Sequence, residues 1–220
     1  MNIKRQWHFY STKTGYSKLF INLVSLFFIF PLVDFFPVVS YLTQSIFLIT
    51  ILLAINTLSL PSKFIFFLRI IAATAFIASI IVFPHSPEIN ALTSLISYIC
   101  YSLFIVTAIQ AIGFRIGNEE RVNRDVIRGG ICLYLLLGIL WYFFYAIIFL
   151  FDANAFQFPE TFNSGESLFY FSFTTLTTLG YGDISPLNSF AMMFANTEAL
   201  CGQLYPAIFL AKLVSLYTED

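Results

Sequence analysis

Ten consecutive residues, Thr174 to Asp183, read Thr-Thr-Leu-Thr-Thr-Leu-Gly-Tyr-Gly-Asp and lie between two long apolar runs. Backbone carbonyls stacked toward one axis, closed at the inner end by a threonine hydroxyl, can replace the hydration shell of an alkali cation. Turning successive carbonyls the same way needs backbone angles that a Cβ resists, so glycine is expected at alternate positions, here Gly180 and Gly182. The ligands would be the hydroxyl and carbonyl of Thr178 and the carbonyls of Leu179, Gly180 and Tyr181, with the Leu179 and Tyr181 side chains turned away to pack the wall. A bare Gly-Tyr-Gly is also a common turn, so the longer spacing carries the reading.

That longer spacing resembles the selectivity-filter signature of the potassium channel family, commonly Thr-x-x-Thr-x-Gly-Tyr-Gly-Asp, through Thr175, Thr178, Gly180, Tyr181, Gly182 and Asp183. The chain departs from it at Leu179, where Val or Ile is more usual; that residue gives only its carbonyl to the ion path. The resemblance covers about Ile131 to Tyr217 and before that extends only to the number of spans. It implies that Asp183, at the outer mouth, hydrogen-bonds behind the filter rather than merely adding field.

The elements that must position this segment are helices in lipid. Of 220 residues, 59% are hydrophobic and 10% charged, and mean hydropathy is +0.83, which excludes a soluble domain of this size. Some twenty helical residues at about 1.5 Å each cover a hydrocarbon core of roughly 30 Å. Six runs approach or exceed that length: 19–36, 38–60, 64–83, 91–114, 131–151 and 189–217. Residues 165–177 are too short to cross and read as a re-entrant pore helix, started by a capping box of Asn163 and Glu166 and leading into the filter, 178–183. The expected fold is thus an all-α membrane protein with six transmembrane helices, a re-entrant pore helix and a selectivity filter. Its domains are a basic segment, 1–18; a four-helix region, 19–114; an interfacial linker, 115–130, read as a helix with Glu120 and Arg124 in favourable i,i+4 order and Val122, Val126 and Ile127 at helical spacing, coupling the four helices to the pore or serving only as a solvated connector; and a pore domain, 131–217.

Charge sets the topology. With both termini inside, Lys4, Arg5, Lys13, Lys18, Lys63, Arg69, Arg115, Arg121, Arg124, Arg128 and Lys212, all 11 basic residues, fall on or near the cytoplasmic side. Asp34, Glu88, Asp152, Glu160, Glu166 and Asp183 fall outside, where their field would gather cations. This predicts a multi-pass protein of the cell membrane. Since one strand cannot close a ring, the motif also implies a homotetramer with four-fold symmetry. The run 91–114 holds no Lys or Arg, so steep voltage gating is not expected from it.

Three residues of the last run are gating candidates. Glu198 either lines the ion cavity or bonds the pore helix or another neighbouring helix. Gly202, 19 residues after Asp183, resembles the family's hinge glycine or serves close packing, and Pro206 removes a backbone hydrogen bond from the same helix. Cys100, Cys132 and Cys201 lack metal-ligand spacing and read as buried packing thiols. His8 and His85 are isolated, and with no nucleophile constellation or phosphate loop an enzyme is not expected. No cofactor is expected beyond K+ as the permeant ion; the partners expected are the bilayer, copies of the chain and an unidentified regulator, but not nucleic acid. Competing functions are a poorly selective cation channel and a membrane sensor whose pore is a secondary output. A transporter would show two related halves with paired broken helices, whereas this chain has no internal repeat.

Overall fold

The computed structural model describes residues 16–29, 49–50, 70, 87–160 and 164–218. Most of the expected spans 38–60 and 64–83, both histidines and Asn163 of the expected capping box lie outside what it describes. Its elements are helix α1 (Ser17–Ile29), α2 (Pro87–Gly117), α3 (Arg124–Phe151), strand β1 (Phe156–Gln157), α4 (Ser164–Leu176), strand β2 (Ser185–Pro186) and α5 (Ser189–Thr218). Three of the helices are long and apolar enough to cross a membrane: α2 from Ala91, α3, and α5 as far as Leu216.

Side-chain caps decide where the helices stop. The Asn118 side chain donates to the Phe114 carbonyl at the end of α2, at 2.7 Å. The Asn123 carboxamide accepts from the amides of Asp125 and Val126, both at 2.8 Å, and starts α3. These two asparagines correct the expectation of an interfacial helix over 115–130: α2 runs on to Gly117, residues 118–123 turn the chain, and α3 begins at Arg124 rather than Ile131. Glu120 and Arg124 therefore do not share a helix.

The turn forms one end of the bundle. There the Tyr16 amide donates to Asp125 at 2.7 Å, Arg128 donates to the Ser17 hydroxyl at 2.7 Å, and the Arg115 guanidinium sits over the Tyr16 ring, 5.1 Å from its centre. Burial pushes the Tyr16 phenol up to about 12. The start of α1, the end of α2 and the start of α3 are thereby tied together, with Lys18, Arg115, Arg121, Arg124 and Arg128 gathered at this end. At the other end Asn188 caps α5 by accepting from the Ala191 amide and donates its own amide to Asp152, each at 2.8 Å.

Between these ends α3 is the central post. On one side it packs with α1 and α2 around Leu19, Leu23, Leu26, Phe104, Ile112, Leu136, Ile139 and Phe143. On the other it packs with α4 and α5 around Trp141, Tyr145, Leu168, Phe171 and Ala191. The two short strands pair antiparallel, Phe156 with Pro186 and Gln157 with Ser185. The chain therefore leaves β1, descends along α3 as α4, and returns to the same end through residues 177–184. Cys132 is buried, whereas Cys100 and Cys201 are only half-buried, a smaller degree of burial than their apolar context suggested.

Candidate functional site

The ten-residue motif begins inside α4 and runs out of its C-terminus. The last turn is closed by the motif's own amides: Leu179 and Gly180 both donate to the Thr174 carbonyl, at 2.9 and 3.1 Å, and Thr178 donates to the Thr175 carbonyl at 2.9 Å. Beyond it the backbone alternates in hand. Thr178, Gly180 and Gly182 have φ of +56°, +50° and +80°, while Leu179 and Tyr181 do not share that region. Glycine enters it freely; a β-branched threonine does so only when its surroundings hold it, at a cost of about 1–3 kcal/mol. Thr178 is the one non-glycine residue with positive φ among the described residues. The sequence pointed to Gly180 and Gly182; Thr178 adds a third alternate position.

The outer half of the segment is braced from α4. The Tyr170 hydroxyl donates to Asp183 Oδ2 at 2.8 Å, and Asp183 Oδ1 accepts from the Ile184 amide at 3.1 Å. The Tyr170 and Tyr181 rings lie parallel, 3° apart in plane with centres 6.5 Å apart. Leu179 and Tyr181 remain 56% and 68% exposed, and nothing lies within 4 Å of where a Cβ would stand on Gly180 or Gly182. One face of the segment is thus open.

The side behind it is closed. The Leu176 carbonyl, at the foot of α4, accepts from the Tyr134 hydroxyl at 3.2 Å and presses on α5 at Gly202, where an added Cβ would stand 1.8 Å from the carbonyl oxygen. Of the two roles open to Gly202, this contact is the close-packing one. Helix α5 continues unbroken through Pro206, which has no amide to donate to the Gly202 carbonyl four residues earlier. Glu198, one turn before Gly202, is fully buried. Its carboxyl meets the Tyr145 hydroxyl at 2.5 Å and the Ser172 hydroxyl at 2.6 Å, so it bonds α3 and α4. Ser172 also reaches the Gly138 carbonyl at 2.7 Å. Tyr134, Tyr145 and Ser172 were not singled out from the sequence; the signal available was a serine between two phenylalanines in a short helix and tyrosines within a long apolar run.

Among the described residues no group of three or more acidic, histidine or cysteine side chains could hold a metal ion. A family model described as an ion channel matches residues 129–219, which take in nearly all of α3, then α4, the motif and α5. Together with the long apolar helices, this supports an ion-channel domain in a membrane protein that conducts ions passively, and enzymatic activity is not a normal property of that family. Comparison with curated proteins and with solved structures returned no match.

Proposed function

We propose that the chain forms a potassium-selective channel, four copies surrounding one pore with residues 178–182 of each as its filter. The observation that carries this reading is the alternating hand of the backbone at Thr178, Gly180 and Gly182. Alternation of this kind turns successive carbonyls to one side, as a stack of rings around a dehydrated ion requires. Thr178 supplies hydroxyl and carbonyl to the innermost site, and Leu179, Gly180 and Tyr181 supply carbonyls above it. In this reading α4 is the re-entrant pore helix, and the Tyr170–Asp183 and Tyr170–Tyr181 contacts hold the ring's diameter.

The open face supports assembly. Within its apolar window α5 is 11% buried, against 56% for α3, although both are apolar. Phe190, Met193, Leu200, Leu204 and Ile208 stand exposed on α5, as Leu179 and Tyr181 do on the motif. Symmetric copies would cover these side chains and place four open segments around one axis. The basic end of the bundle would lie in the cytoplasm and the Asp152–Asn188 end outside.

The test is the reversal potential of the purified protein in a planar bilayer with potassium opposed to sodium. Reversal near the potassium equilibrium value, lost in Gly180→Ala, is the expected result. Currents that do not distinguish the two ions would replace this reading with a nonselective pore.

A further inference from the structure

We infer that Glu198 is held as a neutral carboxylic acid whose proton completes a hydrogen-bonded chain tying α5 to α4 and α3 behind the filter, making it a positioning residue for conduction. The argument is a count of protons. Three heavy-atom contacts meet at this point: Tyr145 hydroxyl to Glu198 Oε2, Ser172 hydroxyl to Glu198 Oε1, and Ser172 hydroxyl to the Gly138 carbonyl, at 2.5, 2.6 and 2.7 Å. Each needs a hydrogen between its oxygens. The two hydroxyls bring one each, and the Gly138 carbonyl brings none.

With Glu198 ionised, Tyr145 and Ser172 would both donate to the carboxylate, and the Ser172 oxygen would face the Gly138 carbonyl with no hydrogen between them. A carboxyl proton removes the conflict. Glu198 donates to Ser172, Ser172 donates to Gly138, and Tyr145 donates to the other carboxyl oxygen, so all three contacts are satisfied in one direction.

Surroundings lead to the same assignment. Glu198 is 0% exposed, and among the described residues it has no basic partner, the ion pairs there being Arg115 with Glu119 and Asp125. A buried carboxylate without a cation is costly; a buried acid with every hydrogen bond made is not. Among the described residues the titratable groups facing it are Tyr145 and Tyr134, both on α3, while α4 bonds it through the Ser172 hydroxyl. Neutral tyrosines offer no charge to hold an anion. Glu198 acts at a distance: Ser172 is one turn above Leu176, the foot on which the filter stands.

The functional half of this inference rests on the channel reading, so the experiment has two readouts. The first is the infrared spectrum of the full-length protein in lipid vesicles at neutral pH, wild type minus Glu198→Gln. A protonated-carboxyl band present in wild type and missing from the variant is expected; a carboxylate band in its place would overturn the assignment. Gln keeps the geometry, since its amide can donate to Ser172 as the acid does. Should that variant not fold, Ser172→Ala, which removes the acceptor for the acid proton, is expected to shift the same band, and an unmoved band would overturn the assignment.

The second readout is potassium flux from the same vesicles against pH. Flux through wild type should fall at least about fivefold as alkaline pH removes the proton, the scale of a typical coupling between sites. Glu198→Gln should retain its flux and lose that dependence; equal dependence in both proteins would overturn the positioning role. Absence of flux from wild type at every pH would defeat the channel reading, while the infrared band would still decide where the proton sits.

Discussion

The two sides of the segment that follows α4 use glycine for opposite reasons. Behind it, Gly202 and Gly138 are glycines because there is no room: a Cβ would stand 1.8 Å from the Leu176 carbonyl oxygen in the first case and 2.4 Å from the Phe173 ring in the second. In front of it, Gly180 and Gly182 have nothing within 4 Å, and their need is for left-handed backbone. One side is finished within a single chain and the other is not. An open face carrying a strained backbone is what the proposed assembly of copies would have to complete.

Substitutions at these glycines test the contrast directly. The largest effect is expected from Gly202→Ala. The clash is with backbone, which cannot swing aside, so a loss of about 3 kcal/mol, the upper part of the overpacking range, should appear in unfolding titrations of the protein in detergent. Gly138→Ala meets a ring edge that can turn, and about 2 kcal/mol is expected by the same measurement. In front of the segment, Gly180→Ala should cost only about 1–2 kcal/mol for its left-handed backbone yet abolish ionic selectivity, which separates folding from function. If Gly180→Ala unfolded the protein as readily as Gly202→Ala, the contrast between the two sides would fail. The smallest effect belongs to Tyr170→Phe. It removes one exposed hydrogen bond to Asp183, so stability should change by less than about 1 kcal/mol, while the relative permeability of sodium in bilayer recordings rises.

Much of this arrangement could be read from the residues. The motif announced Gly180 and Gly182, and the apolar runs around it announced long helices, because both depend on local chemistry that a sequence displays. The partner of Glu198 could not be read, since the answer turns on which way one helix faces two others. Hydropathy gives no such angle when a helix has no distinct polar face, and α5 has none. The error at 115–130 has a different origin. Helical spacing of Val122, Val126 and Ile127 suggested one continuous helix, but the Asn118 side chain bonds the Phe114 carbonyl and the Asn123 side chain takes the amides of Asp125 and Val126, ending one helix and starting another. Thr178 was picked for its hydroxyl, and the strain in its backbone was not visible, because threonine does not ordinarily enter that conformation.

The clasp at the basic end has a mechanical meaning. Helix α1 precedes the region matched by the ion-channel family, yet it is pinned by Tyr16 and Ser17 to α3 at one end, and further along its length Phe27 rests edge-on against Phe169 and Phe173 of α4, with ring centres 5.4 and 4.5 Å apart. Phe173 in turn fills the notch at Gly138. Helix α1 is therefore a rod with a fixed pivot whose far end leans on α4, and a tilt at the pivot would reach the segment that follows α4 through three phenyl rings without passing along α5.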